Sequence, residues 1–485
     1  MYRLHAINRL ASLGWEPPLS SMPSGTAPPP LHRSVYDRLR VSIIEGRLAP
    51  GERLPSARAL ATQLGLSRGT VDLAYAVLAG EGYIVSQGAR GTFVSPALPT
   101  RPATPTNPTK PSCLSAIPQR ERPPKLPFWV GLPAIDLFPR KIWSRILARQ
   151  GRGLSPEDFR YPDRSGNLRL KQALVSYLSV ARGISCTPDQ IVITGGYQGA
   201  IGLVCRLLLT PGDKVWVEDP GYHWTHATLQ TVGARAIPVT VDEHGLDVGE
   251  GEARASDAPL CIVTPSNQFP LGVALSLPRR LALLDWAAAN GSWIVEDDYD
   301  SEFYYQGRQL PALKALDHAD RVFYVGTFSK TLFPGLRLGY LVTPKPQANR
   351  FHQAHWSLDG GRSSLEQIAV ADFITEGYFA RHLKKMRAIY AARRAATVAA
   401  LTSELGAIMS FDLSPGGLHV IGRLDGTIDD VLLANRAVEA GYRPIALSTL
   451  IRGEPARKGL LMGFTNVPEA QAPQLVRQFR KVLGI

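Results

Sequence analysis

The chain is 485 residues long, carries 54 Lys/Arg against 41 Asp/Glu for a formal charge of +13, and is 45% hydrophobic. At about 150 residues per domain, this length points to about three structural units rather than one core. No run approaches the roughly 20 consecutive apolar residues that a membrane span requires, and the N-terminus lacks the basic-then-apolar pattern of a secretion signal, so a cytoplasmic protein is expected.

Four cysteines, Cys113, Cys186, Cys205 and Cys261, are scattered without a CxxC pair. Neither a disulfide framework nor a zinc site is expected, and the four read as small buried hydrophobes. Charge is uneven. Residues 1–127 hold 15 Lys/Arg against 7 Asp/Glu, so the basic excess gathers at the N-terminal end, where a polyanion such as nucleic acid is the natural partner.

Residues 1–30 start with a short amphipathic stretch, Leu4, Ile7, Leu10 and Leu13, and end in Pro28-Pro29-Pro30, a composition that reads as a flexible arm. From Leu31 the pattern turns helical, with Val35, Leu39 and Ile43 at spacings of four. Ser56 can cap a helix that Gly65 ends, and Ser67 can cap a second helix burying Val71, Tyr75 and Leu78. Two helices joined by a tight glycine turn make a helix-turn-helix, whose second helix presents Arg68, Gly69, Thr70 and Asp72 at its exposed first turn. Arg68 and Thr70 are the expected base and phosphate contacts. Tyr83-Ile84-Val85 and Thr92-Phe93-Val94 then read as two strands around a glycine-bearing turn with Arg90 at its tip, forming a wing.

Ten prolines fall between Pro96 and Pro127 among few large apolar residues, which predicts an extended, solvated tether. From about Phe128 onward, helical segments alternate with the apolar runs 190–194, 214–217, 260–263, 293–295 and 321–325. Such alternation predicts a mainly parallel sheet covered on both faces. The expected divisions are an arm over 1–30, a winged helix over 31–95, a tether over 96–127 and an α/β domain over 128–485.

Four motifs in that domain carry chemistry. Thr194-Gly195-Gly196-Tyr197-Gln198-Gly199-Ala200 joins a strand to a helix, so its N–H groups can receive phosphate. Glu218-Asp219-Pro220-Gly221-Tyr222 ends the next strand and offers Tyr222 for stacking. In Glu296-Asp297-Asp298-Tyr299-Asp300, Asp297 can keep a pyridine nitrogen protonated and Tyr299 can reach a ring hydroxyl. Four acids so close together at the end of a buried strand are costly unless cations pair with them. In Gly326-Thr327-Phe328-Ser329-Lys330, followed by Arg337, the lysine can form a Schiff base with a phosphorylated aldehyde whose phosphate the guanidinium fork grips.

Residues 31–95 resemble the winged helix of the GntR regulators, through the Leu-Pro-Ser-x-Arg start, the Ser-Arg-x-Thr-Val helix opening and the Gly-x-Gly-Thr-Phe-Val end. The resemblance implies a DNA-facing set of Arg58, Ser67, Arg68, Thr70 and Arg90. The four later motifs resemble the fold-type I aminotransferases, and the fusion of the two resembles the MocR subfamily of regulators from about Leu31 onward. That resemblance implies pyridoxal 5'-phosphate held on Lys330 as an internal aldimine, with Asp297 on the pyridine nitrogen, Tyr299 on the ring oxygen and Tyr222 stacked. Gly196, Tyr197, Gln198, Thr327 and Arg337 would hold the phosphate, and Tyr161 would reach the phosphate of the neighbouring subunit in a homodimer.

Two segments depart from the aminotransferase pattern. In the loop from Thr264 to Gly272, Asn267 stands near the cofactor where histidine is expected, and Leu271 where threonine is usual. In Gly459-Leu460-Leu461-Met462-Gly463-Phe464 there is no arginine to bind a substrate carboxylate, leaving Arg443 and Arg452 as candidates from a nearby loop. Three functions are weighed. A regulator that binds promoter DNA and senses pyridoxal phosphate or an amino compound through Lys330 stands first. An aminotransferase with an accessory DNA-binding domain loses support at Leu461, and a bare dimerisation scaffold loses it at the intact Lys330, Asp297 and Arg337. In the first reading, the cofactor or an amino compound changes the closure of the large domain and thereby the spacing of two winged helices on DNA. No metal is expected.

Overall fold

The computed structural model describes residues 30–97, 127–307, 310–425, 428–453 and 457–485. The stretch from Leu4 to Leu13, Cys113 and most of the expected tether lie outside the described residues. The chain divides into two compact units, Met1–Gln119 and Arg120–Ile485.

In the first unit, helices α1 (Leu31–Ile44), α2 (Ala57–Leu64) and α3 (Arg68–Gly80) precede an antiparallel pair, β1 (Ile84–Ser86) and β2 (Thr92–Val94). α2 starts where the Ser56 hydroxyl accepts the Ala59 N–H at 3.2 Å and stops at Gly65, whose φ of +64° suits a residue without a side chain. α3 starts in the same way, the Ser67 hydroxyl accepting the Thr70 N–H at 3.2 Å. Val71, Tyr75 and Leu78 then share one buried face and pack with Val35, Leu39 and Ile43 of α1. Each such burial contributes about 1.5–3 kcal/mol, enough to define the core of so small a unit. β1 begins one residue later than the sequence predicts, because the Tyr83 N–H donates to the Leu78 carbonyl at 2.9 Å and so closes α3. The sequence reading also missed a third extended segment: Gly51 and Leu54 donate to Val94 and Thr92, and Val94 donates to Glu52.

The second unit holds two sheets. The large one has the order β3 (Ile191–Thr194), β10 (Gly339–Val342), β9 (Val322–Thr327), β8 (Trp293–Asp298), β7 (Leu260–Val263), β4 (Lys214–Asp219), β5 (Arg235–Asp242), β6 (Gly245–Leu246). The ladders joining β9, β8, β7, β4 and β5 are parallel, and those of β10 and β6 are antiparallel. Side chains alternate between the faces with the period of two that a strand imposes. Val215, Val217, Val295 and Phe323 pack in one apolar cluster, whereas Trp216, Cys261, Ile294 and Val322 pack in another, so both faces are covered. Cys205 and Cys261 are buried, and Cys186 is only partly so.

The expected strands shift at their ends. Gln190 and Arg321 fall outside β3 and β9, while β4 runs on to Asp219 and β8 to Asp298. The acids of the Glu296–Asp298 motif thus belong to the strand itself rather than following it. A second, antiparallel sheet was not foreseen: β11 (Met409–Asp412), β12 (His419–Leu424), β14 (Lys458–Gly463) and β13 (Ile445–Ala446), in that spatial order.

Candidate functional site

On the first unit, Arg58, Ser67, Arg68 and Arg90 are exposed and Thr70 is half-buried. Arg68 holds Asp72 one turn away, Nε to Oδ2 at 3.2 Å, and the Ser67 and Thr70 hydroxyls lie 2.8 Å apart. Arg90 sits in the short turn Gly88–Arg90 between the wing strands. The first turn of α3 and the wing thus each present an exposed arginine, Arg68 in a solvent-exposed pair with Asp72 and Arg90 at the turn.

On the second unit, the strand period decides what each acid does. Glu296 and Asp298 face one side of β8. Glu296 accepts the Leu313 and Lys314 N–H groups at 2.9 and 2.8 Å, while Asp298 pairs with Arg182 Nε at 2.7 Å and accepts the Tyr324 hydroxyl at 2.6 Å. Asp297 faces the other side, lining a small cavity with Tyr197, Glu218, Tyr222 and Thr264. Burial, then the like charges of Asp298, Glu218 and Asp300, push the Asp297 carboxyl well above the usual carboxylate range, against the opposing pull of Lys330. A carboxyl in this position gains from a cation beside it, which is what a protonated pyridine ring supplies.

Around Asp297 the expected residues converge. Tyr222 feels both Asp297 and Arg337, and burial foremost pushes its phenol up to about 12. Its ring meets Tyr197 and Phe269 edge-on, each at 5.6 Å. Asn267 Nδ2 donates to the Tyr299 hydroxyl at 3.1 Å and to both Asp300 oxygens at 3.0 and 2.9 Å, so this asparagine ties the Tyr299 loop in place where histidine was expected. Gly196, at φ +82°, precedes the helix Tyr197–Leu208 and leaves its first N–H groups open to an anion. Arg337 adopts φ +51°, a conformation that costs a residue with a side chain about 1–3 kcal/mol, and its Nη2 reaches the Gly195 carbonyl at 3.2 Å and Gln198 Oε1 at 3.4 Å. Thr327 Oγ1 accepts the Ser329 N–H at 3.2 Å, holding the turn that carries Lys330. Tyr161 stands apart: it is 89% exposed and touches only the edge of Trp356 among ring contacts in the described residues.

Lys330 is covered by a segment that motif reading missed. Its Nζ donates to the Gly131 carbonyl at 2.9 Å. Phe128 and Gly131 take φ of +64° and +74°, which folds the chain over the lysine, and the buried Phe128 ring packs with Tyr442 and Phe479. Burial holds the Lys330 amine below the usual lysine range, while Asp300 and Asp297 oppose that shift. A depressed lysine is more often neutral, and only the neutral amine attacks a carbonyl. His419, also unforeseen, is buried nearby, with Nε2 2.8 Å from the Pro270 carbonyl and its ring against Phe269. Its imidazole is pushed down by burial and also by Lys330.

Of the two candidate anchor arginines, Arg443 is stacked on a ring, while Arg452 lies by its backbone and its charge beside the helix that follows Tyr222. Arg443 lies 5.2 Å over the Trp129 ring, and the Arg452 backbone N–H donates to Asp219 at 2.8 Å with its charge felt by His223 and His226. Among the described residues no group of His, Cys, Asp and Glu could hold a metal ion, and no helix is long and apolar enough to cross a membrane.

Residues 31–94 match the family of bacterial regulatory proteins, gntR family, and residues 139–436 match aminotransferase class I and II. The chain is 37% identical to the Rhizobium meliloti protein named "Probable rhizopine catabolism regulatory protein MocR", covering 90% of each. It is 33% identical to the pyridoxine biosynthesis transcriptional regulator PdxR of Corynebacterium glutamicum, over 90% of this chain and 92% of that one. The structure of Pyrococcus horikoshii kynurenine aminotransferase superposes with a TM-score of 0.68 and 27% identity, over 74% of this chain and 91% of that one. A GntR winged helix followed by a fold of the pyridoxal-phosphate-dependent aminotransferases, matched over nine-tenths of MocR itself, places the chain in the MocR family of transcription regulators.

Proposed function

We propose that the chain binds promoter DNA through residues 31–95 and takes pyridoxal 5'-phosphate on Lys330 of an effector unit, residues 128–485, reading that cofactor or an amino compound exchanging with it as its signal. The observation that carries this is the meeting of a depressed lysine, a cation-seeking acid and an arginine-lined helix start at one end of a parallel sheet. When bound, pyridoxal phosphate supplies a carbonyl that captures amines and a ring that withdraws electrons. Asp297 would keep the ring nitrogen protonated, Tyr299 and Asn267 would hold its oxygen, and Tyr222 would lie against its face. Thr327, Gly196, Tyr197, Gln198 and Arg337 would bind the phosphate. The fold is usually dimeric, and the exposure of Tyr161 suits a side chain that completes the site of a neighbouring subunit.

The segment over Lys330 links the site to the tether. Phe128 follows the proline-rich stretch directly in sequence, and its neighbour Gly131 holds the amine. Lys330 Nζ, the atom that would take the cofactor, is also the donor that holds the Gly131 carbonyl, so loading the lysine would compete with the contact that seats this segment. A regulator of this kind works in the cytoplasm, on the chromosome.

The reading is tested by adding pyridoxal phosphate to the purified chain, reducing with borohydride and mapping the modified peptide by mass spectrometry. The label is expected on Lys330 and absent from Lys330→Ala. Equal labelling of the alanine variant within the same site overturns the assignment.

A further inference from the structure

Arg337 is not the sole guanidinium at the glycine turn. Arg362, from the loop after the helix Ala348–Asp359, lies so close to Gly195 that a Cβ built there would stand 2.3 Å from its Nη2. Arg337 approaches the same turn, with Nη2 on the Gly195 carbonyl at 3.2 Å and Nη1 3.9 Å from where a Gly196 Cβ would be. The space beside Gly195 is thus filled by the tip of an arginine, whereas of the two glycines only Gly196 has a positive φ.

One nitrogen of the Arg362 guanidinium is paired and another is not. Its Nη2 donates to Asp359 Oδ1 at 2.7 Å, but the other oxygen of Asp359 faces His355 Nε2 at 3.2 Å. The buried Arg362 Nε has no hydrogen-bond partner among the described residues. A guanidinium always carries its charge, and an unpaired buried N–H on it is costly unless an acceptor arrives. Arg337, unlike Arg362, has no carboxylate partner among the described residues. Two arginines and a helix start, set against the single carboxylate of Asp359 on Arg362, form a surplus of positive charge matched to a dianion rather than to a carboxylate.

We propose that Arg362 is a second phosphate-binding arginine of the Lys330 site, acting beside Arg337 on the phosphate of the aldehyde that Lys330 takes. This rests on the reading of Lys330 as the cofactor lysine. It adds that discrimination between a phosphorylated aldehyde and its free alcohol form is divided between two arginines, one of them outside every recognised motif.

The test compares pyridoxal phosphate with pyridoxal, which has the same ring and carbonyl but no phosphate. Each is titrated by absorbance into the full-length wild type and into Arg362→Gln, Arg362→Lys and Arg337→Gln, with the site of attachment checked by borohydride reduction. A charge-assisted hydrogen bond of the usual strength predicts that Arg362→Gln weakens pyridoxal phosphate about 10- to 100-fold and leaves pyridoxal within about twofold, with partial recovery in Arg362→Lys. If Arg362→Gln weakens both aldehydes equally, or neither, the proposal is overturned while the reading of Lys330 stands. If the wild type attaches pyridoxal phosphate elsewhere than Lys330, both fall together.

Discussion

Leu271 and Leu461, the two positions where the sequence departs from the aminotransferase pattern toward apolar residues, belong to one buried cluster with Val241, Ile421, Leu447 and Leu450. Leu461 is fully buried on β14 opposite Ile421 and Ile445, so no cation can be placed there without breaking the packing of the smaller sheet. Amine capture needs only an amine and a carbonyl, but transamination also needs the substrate held rigidly, and poor positioning costs several kcal/mol of barrier. Candidate amines incubated with the cofactor-loaded protein and a keto acid are expected to change the visible spectrum with little new amino acid formed. Sustained turnover at about one per second or faster, in the ordinary enzyme range, would promote the aminotransferase reading instead.

The Arg68–Asp72 pair is exposed at both ends, 71% and 50%, so it adds little to stability. Arg68→Ala should leave the melting temperature and cofactor binding unchanged while weakening specific DNA binding by about 1–3 kcal/mol, if the guanidinium reads a base. Arg90→Ala at the wing should cost less. Binding isotherms at matched salt check this, and equal affinity for wild type and Arg68→Ala removes Arg68 from the interface.

Gly131→Ala places a side chain on a residue with φ +74°, at 2.7 Å from Lys330 Nζ. Backbone and amine must both give way. The variant is expected to lose about 1–3 kcal/mol of stability and to attach pyridoxal phosphate more slowly than wild type. Denaturant unfolding and stopped-flow absorbance report the two effects separately, and wild-type values in both would show that the segment does not hold the lysine.

Glu218 accepts the Thr264 N–H at 3.1 Å and its hydroxyl at 2.5 Å, yet burial pushes its carboxyl up to about 7. An unfolded glutamate titrates near pH ~4.3, so between there and about 7 the folded chain holds the extra proton, and this contribution to stability falls as pH rises through that window. Glu218→Gln cannot titrate. The loss of stability between pH 5 and pH 8 should therefore be smaller in the variant, by an amount on the order of 2–3 kcal/mol, measured by denaturant unfolding at both values. An identical pH dependence in the two proteins would place the titration elsewhere.

Local chemistry made much of this legible in the sequence. Ser56, Gly65 and Ser67 act on neighbours within four residues, so the helix-turn-helix could be drawn from them alone. Asp297 could be named as an acid at a strand end in a motif resembling the aminotransferases, but that it faces away from Glu296 and Asp298 emerges only because β8 runs on to Asp298. What stayed hidden depends on chain path. Gly131 meets Lys330 across 199 residues, and Arg362 meets Gly195 through a loop with no motif of its own. The smaller sheet was missed because β11 and β13 are short and because β12 carries Gly422 at its middle, where Phe411 and Met462 fill the space a side chain would need.

The most direct test of a cofactor-sensing regulator is capture of fragmented genomic DNA from the source organism on purified protein, with and without pyridoxal phosphate, read by sequencing. Wild type and Lys330→Ala are run side by side. Both proteins should enrich the same discrete promoter fragments, since the winged helix is intact in each, but only the wild type should change its enrichment when pyridoxal phosphate is added. No discrete fragments with the wild type, or an equal response to pyridoxal phosphate in Lys330→Ala, would contradict a regulator that senses through this lysine.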